Sequence, residues 1–167
     1  MKPLFFSSLL TAGLLLGLTG CDDDALSLGN AENGSGNSAA GDAERSLEWM
    51  TDYEEALEAS RESGKPVLMN FTGSDWCPPC IQMKNNVLDT ADFHEFATDN
   101  LVLLELDFPR NKPQEPEVVR QNRELAETFG IQGYPTFVVA DEEGNELRRT
   151  VGYKRGGPEA FIAWIED

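Results

Sequence analysis

The chain has 167 residues, of which 13 are Lys or Arg and 30 are Asp or Glu, and its formal net charge is −17. This length allows one domain of ordinary size together with additional segments. The acidic balance excludes a general nucleic-acid-binding protein and disfavours adsorption to anionic membrane surfaces, because like charges repel. It indicates a well-solvated surface, and a preference for basic partners is the alternative that it leaves open.

Residues 1–20 predict an export signal. A lysine at position 2 precedes an apolar run from Leu4 to Leu18, which is shorter than the roughly 20 residues of a membrane-spanning helix. The run ends in LTGC, which resembles the lipobox of bacterial lipoproteins. We therefore predict a lipoprotein signal peptide over residues 1–20 and lipidation of Cys21. An ordinary secretory signal followed by an unrelated cysteine is the alternative.

The segment that follows predicts how the protein is held. Asp22 resembles an inner-membrane retention signal of some Gram-negative bacteria, so we expect lipid anchorage in the cell envelope, with the inner membrane facing the periplasm favoured. Residues 21–44 are rich in Gly, Ser, Asn and Asp and contain no aromatic residue. They cannot bury enough apolar surface to offset their ordering entropy, so we predict a flexible tether. Residues 45–167 are predicted to form the folded domain.

Hydrophobic periodicity predicts the elements of this domain. Thr51 and Glu54 fit a capping box at the start of a first helix, and Gly64 fits its end. The later elements, in chain order, are a strand at 67–72, a helix at 78–88, a short helix carrying Phe93 and capped by Asp92 with Glu95, a strand at 101–107, a helix at 118–129, a β-hairpin of 136–140 with 146–151, and a helix at 158–165. The order predicts an α/β fold in which helices flank both faces of a central mixed sheet.

The motif Trp76-Cys77-Pro78-Pro79-Cys80 lies between a predicted strand and a predicted helix. Cysteines three residues apart at a helix start can approach within disulfide distance. Unpaired backbone N–H groups and the positive end of the helix dipole stabilise the first thiolate, which is the species that attacks disulfides. We therefore expect Cys77 to be the nucleophile and Cys80 the resolving thiol.

Two other interpretations of this cysteine pair stay open. A structural disulfide is one, although closing so short a loop removes little entropy from the unfolded chain. A zinc site is the other, although structural zinc takes four ligands, and His94 is the only histidine of the chain. We predict no bound metal.

The Trp-Cys-x-x-Cys motif after a buried strand, followed later by Gly133-Tyr134-Pro135-Thr136, resembles the thioredoxin superfamily over residues 47–165. The stretch FTGSDWC resembles envelope proteins related to the C-terminal domain of the membrane thiol–disulfide interchange reductase. The Pro-Pro dipeptide resembles thioredoxins of cytochrome c maturation. The resemblance implies a thioredoxin fold with an N-terminal strand and helix extension, and chemistry that needs no cofactor.

The resemblance also implies roles for residues around the cysteines. It implies a cis peptide bond before Pro135, a rare geometry that sequence alone does not assign. It implies that the backbone of Tyr134 pairs with an extended substrate segment, a form of strand addition, and that Trp76 and Thr136 help to form the substrate-binding surface.

One position departs from the family pattern. Many thioredoxins carry a buried Asp before the motif, and Asn70 stands there in this chain. An amide cannot titrate, so proton transfer at Cys80 needs another group. Glu105 on the neighbouring strand and Asp75 in the loop are candidates; a surface carboxylate, an ion-paired one, or transfer to water are the alternatives. His94 is predicted to be an exposed helix residue.

These features predict a thiol–disulfide oxidoreductase that acts on protein thiols and disulfides of the bacterial cell envelope. We expect a monomeric reductase supplied by a membrane electron donor, with a disulfide-donating oxidase as the alternative. A metallochaperone or assembly factor using Met83 and His94, and a holdase or scaffold that has lost catalysis, are the non-redox alternatives.

Overall fold

The computed structural model describes residues 47–167. The predicted signal peptide, the lipidation at Cys21 and the whole of the predicted tether therefore lie outside the described residues. Within residues 47–167, no helix combines the length and the apolar composition that a bilayer crossing requires.

The elements follow the predicted order. They are α1 (Tyr53–Ser63), β1 (Val67–Thr72), α2 (Pro78–Met83), which continues as a π-helical segment (Lys84–Leu88), α3 (Ala91–Asn100), β2 (Val102–Asp107), α4 (Pro116–Thr128), β3 (Thr136–Ala140), β4 (Glu146–Val151) and α5 (Gly157–Glu166). The two hairpin strands have the bounds that the sequence predicts.

The four strands form one mixed sheet in the order β2-β1-β3-β4. Strand β1 pairs in parallel with β2 and antiparallel with β3, and β3 pairs antiparallel with β4. The predicted α/β class and mixed sheet are thus confirmed. The predicted N-terminal strand is reduced to a single parallel bridge between Met50 and Leu104.

Helices cover both faces of the sheet and form two apolar clusters. Helices α1 and α4 contribute Leu57 and Leu125 to one cluster. The π segment, α3 and α5 contribute Val87, Phe93 and Phe161 to the other. Every residue of β1 is buried, as expected for a central strand covered on both sides.

Two predicted helix caps are wrong. Helix α1 is capped by Asp52, whose carboxylate accepts the Glu55 N–H, and not by Thr51 with Glu54. The sequence fits a capping pattern in both registers, and a contact from α4 selects between them. Gln121 accepts the Tyr53 N–H at 2.9 Å and donates to the Thr51 carbonyl at 2.9 Å, so Thr51 lies outside the helix.

Helix α3 is capped two residues earlier than expected. Thr90 accepts the Phe93 N–H, so Asp92 and Glu95 lie inside the helix. The hydroxyl of Thr90 also donates to the Val87 carbonyl at 2.6 Å, which ties the cap to the end of the π segment. This hydrogen bond forms only in the geometry of the turn between the π segment and α3, so the order of the residues does not predict it.

The cap of α1 gives a stability prediction. We expect Asp52→Ala to lower the free energy of unfolding by about 0.5–2 kcal/mol, because the Glu55 N–H loses its acceptor. The matched control, Thr51→Ala, keeps the carbonyl that Gln121 uses and should change stability by less than about 0.5 kcal/mol. Urea denaturation measures both. Equal losses in the two variants would contradict the assignment of the cap.

Candidate active site

The two cysteines lie at the start of α2, just after the loop that follows β1. Cys77 is the N-cap of α2, and its N–H donates to the Gly73 carbonyl at 3.0 Å. The sulfurs of Cys77 and Cys80 form a disulfide of 2.02 Å, and both residues are almost fully buried. The prolines between them occupy the first helical turn, where missing N–H groups cost little. The first thiol therefore faces the positive end of the helix once the pair is reduced.

The loop before β3 lies against the residue that precedes Cys77. The Tyr134–Pro135 peptide bond is cis, as the family resemblance implies. The ring of Tyr134 meets that of Trp76 edge-on, with centroids 5.9 Å apart. Thr136 is buried, and its hydroxyl donates to the Gly133 carbonyl at 2.8 Å, so this side chain braces the loop from within.

A second loop, residues 108–112, is fastened to the motif loop. The Trp76 indole N–H donates to the Phe108 carbonyl at 2.7 Å, and the Arg110 guanidinium lies 3.7 Å from the Trp76 ring centroid. Ser74 donates to the Asp107 carboxylate through its N–H and its hydroxyl, at 2.8 and 2.6 Å. Trp76 is thereby held between the two loops beside the nucleophile.

Asp75 has an anchoring position. Its carboxylate accepts the backbone N–H groups of Arg110 at 3.0 Å and Asn111 at 2.6 Å. The hydrogen bond from Arg110, followed by that from Asn111, holds the pKa of Asp75 below its usual range. A carboxylate with a lowered pKa is a weaker base, so this geometry suits fixing the loop better than accepting a thiol proton.

Behind the disulfide lies a cavity of about 460 Å³. Cys80, Asn70 and Glu105 line it together. Burial, and then the negative charge of Asp107, raise the pKa of Glu105 above its usual range. Of the two carboxylates that the sequence singles out, the structure therefore places Glu105, and not Asp75, on the cavity that Cys80 lines.

The position of His94 differs from the prediction. It is half-buried and lines the same cavity, whereas the sequence predicted an exposed helix residue. Helix α3 packs on this face of the sheet through Phe93 and Ala97, and His94 follows Phe93 directly, so its ring reaches the cavity rim. Among residues 47–167, no group of three or more His, Cys, Asp or Glu side chains is arranged to hold a metal ion.

Several residues of the site were missed by sequence analysis. Arg110, Ser74 and Asp107 contact the motif across the loops, and Lys84 lines the cavity from the π segment. These contacts depend on how two loops meet at the end of a parallel strand pair, and no local pattern announces them.

Comparison with known proteins assigns the family. The model of the thioredoxin-like domain family matches residues 53–167. The chain belongs to this family. With its Cys-x-x-Cys pair closed as a disulfide at the start of α2, it is a thioredoxin-like thiol–disulfide oxidoreductase.

Relatives with the same domain carry redox names. The disulfide bond reductase DsbH of Chlamydia pneumoniae is 38% identical over 124 residues, which are 74% of this chain and 74% of that protein. The thiol:disulfide interchange protein DsbD of Ralstonia nicotianae is 29% identical over 115 residues, but these are only 17% of its length. A solved structure of a DsbH oxidoreductase superposes with a TM-score of 0.68 at 38% identity, covering 72% of this chain and 82% of that one.

The contact between Gly73 and Trp76 gives a prediction for this thioredoxin-like domain. A Cβ at Gly73 would lie 2.6 Å from the Trp76 ring, whereas a Cβ at Gly133 meets nothing within 4 Å. We expect Gly73→Ala to cost about 1–3 kcal/mol of stability by overpacking. It should also shift the NMR resonance of the Trp76 indole N–H, because the ring must leave the Phe108 carbonyl. Gly133→Ala is the matched control, and an equal effect there would contradict the proposed contact.

Proposed function

We propose that this thioredoxin-like oxidoreductase is a protein-disulfide reductase of the bacterial cell envelope, anchored to a membrane through lipid on Cys21. The observation that carries the chemistry is the Cys77–Cys80 disulfide at the start of α2, beside the loop that contains cis Pro135. The 38% identity to a protein named disulfide bond reductase supports the reducing direction. The sequence at residues 1–21 supports the anchor and the envelope location.

The reaction needs only the two cysteines. The Cys77 thiolate attacks a disulfide of the substrate protein, forms a mixed disulfide and releases one substrate thiolate. Cys80 then attacks the Cys77 sulfur, the mixed disulfide breaks, and the second substrate thiolate leaves. Each turnover leaves the Cys77–Cys80 pair oxidised, so a reductase requires an electron donor. We propose that this donor is membrane-bound, because a lipid anchor would keep the domain near it.

The surface around Cys77 provides a place for the substrate. We propose that an extended segment of the substrate lies along the backbone of Tyr134 as an added strand. Trp76 would form the adjoining wall, since hydrogen bonds and the Arg110 guanidinium hold it in one orientation. The buried Thr136 would support this surface without touching the substrate.

The rival functions find less support. Met83 is fully buried beneath the motif, so its thioether is not presented for the metal binding that a metallochaperone would need. A disulfide-donating oxidase would use the same residues in reverse, and the reduction potential distinguishes it.

The division of labour between the cysteines gives a prediction. The Cys80→Ser variant should attack a peptide disulfide and then remain as a stable mixed disulfide, because no resolving thiol is present. The Cys77→Ser variant, its matched control, should form little adduct, since Cys80 lies inside α2 and not at the N-cap position that stabilises a thiolate. Mass spectrometry of acid-quenched mixtures measures both adducts. Equal trapping by the two variants would sink the assignment of Cys77 as the nucleophile.

The anchor is tested separately. In a Gram-negative host, the full chain should incorporate labelled fatty acid and sediment with membranes, and Cys21→Ser should do neither. An unchanged membrane fraction in Cys21→Ser would show that the protein is held in another way. Insulin reduction by the released variant should match that of the anchored protein, because the redox pair is unaltered.

A further inference from the structure

The register of the sheet places two polar side chains together beside Cys80. In the parallel pairing of β1 with β2, Asn70 lies opposite Glu105. Side chains alternate along a strand, so residues two positions apart share a face. Leu68 and Leu103 lie two positions before Asn70 and Glu105, and both belong to the cluster formed with the π segment, α3 and α5. Asn70 and Glu105 therefore point to the face that carries α2, and both line the cavity that Cys80 also lines.

Asn70 has an unmet hydrogen-bonding requirement. The residue is 4% exposed, and its Oδ1 atom is buried without a hydrogen-bond donor among the residues that the structure describes. Leaving a buried acceptor unsatisfied costs free energy. A carboxylate cannot satisfy this acceptor, because it has no proton, whereas a protonated carboxyl on the facing strand can donate to it. Asn70 Oδ1 is thus an acceptor that a protonated acid on the facing strand can satisfy.

Titratable groups on several elements lie around Glu105. Asp107 lies on its own strand, Lys84 and Asp89 face it from the π segment and its end, His94 lines the cavity from α3, and Lys112 belongs to the loop after β2. Burial dominates and raises the pKa of Glu105; Asp107 raises it further, and Lys84 and Lys112 oppose them. A carboxyl whose pKa moves upward, toward that of a thiol, is a better matched proton acceptor.

We infer that Glu105 accepts the proton of the Cys80 thiol when the mixed disulfide is resolved. This inference rests on the proposed thiol–disulfide exchange. The proton passes from Cys80 Sγ to the Glu105 carboxylate, directly or through one water in the cavity. The Cys80 thiolate then bonds to Cys77 Sγ, the bond between Cys77 and the substrate sulfur breaks, and the electron pair leaves on the substrate thiolate. Reduction of the Cys77–Cys80 pair returns the proton from Glu105 to Cys80.

The titratable carboxyl of this chain therefore lies on β2, opposite the position on β1 where many thioredoxins carry a buried Asp. Asn70 at that paired position on β1 offers an unsatisfied Oδ1 that can accept a hydrogen bond from the protonated carboxyl. Glu105 is proposed as the proton acceptor of the second step only. It has no part in the attack by Cys77, because that thiolate forms at the helix N-terminus.

Rapid-quench kinetics with a peptide disulfide separates the two steps. We expect Glu105→Gln to form the mixed disulfide at the wild-type rate and to resolve it about tenfold or more slowly at pH 7, since general-base catalysis contributes typically ~10²–10⁴-fold. The resolution rate of the variant should rise in proportion to hydroxide between pH 6 and 8, whereas the wild-type rate should level off above the pKa of Glu105. Glu124→Gln, an exposed glutamate on α4, is the matched control and should resolve normally.

A rescue variant guards against a merely structural effect. Asn70→Asp added to Glu105→Gln returns a titratable acid to the same cavity and should restore most of the resolution rate. Unchanged resolution and an unchanged pH profile in Glu105→Gln would overturn the inference. So would a result in which His94→Gln resolves slowly and Glu105→Gln resolves at the wild-type rate. If the wild-type protein failed to form a mixed disulfide at all, the proposed function would fail instead.

A measurement on the unaltered protein covers the case in which Glu105→Gln does not fold. Carbon-13 NMR of labelled glutamate should show the Glu105 carboxyl titrating at different pH in the reduced and the oxidised protein, because its proton is coupled to that of Cys80. Identical titration in the two redox states would overturn the inference.

Discussion

The burial of β1 on both faces is the constraint on which the site depends. The buried backbone N–H and C=O groups of such a strand need partners at both edges, and β1 pairs with β2 in parallel and with β3 antiparallel. The parallel pairing brings the carboxyl ends of β1 and β2 to the same edge, where ligand sites of α/β sheets commonly lie. The motif loop and the loop after β2 meet there, and the hydrogen bonds of Ser74 with Asp107 join them.

Two carboxylates near one disulfide acquire opposite properties from their surroundings. Asp75 accepts backbone N–H groups, which lower its pKa and suit it to hold a loop. Glu105 is set among buried side chains and beside another acid, which raise its pKa and suit it to exchange protons. Sequence analysis could name both residues but could not separate them, because the difference lies in burial and in hydrogen bonds made across loops.

The sequence predicted the order of the helices and strands, but it did not predict the contacts that these elements make with one another. The apolar run of β1 and the hairpin of β3 with β4 carry their signals locally, so their bounds agree with the structure. The cap of α1 was misplaced because Gln121, far along the chain, selects the register. His94 was expected to be exposed because the local sequence of α3 does not show its tertiary neighbours. Its partial burial comes from the cavity that it lines together with Cys80. The cis bond before Pro135 was available only through the family resemblance.

The measurement that tests the central proposal most directly is the reduction potential of the Cys77–Cys80 pair, equilibrated against glutathione and dithiothreitol. A protein-disulfide reductase requires a potential near that of thioredoxin, about −270 mV. A value of about −120 mV, typical of a strong protein-thiol oxidant, would contradict the reducing direction and make the protein a disulfide donor. A pair that neither buffer reduces would contradict the redox function itself.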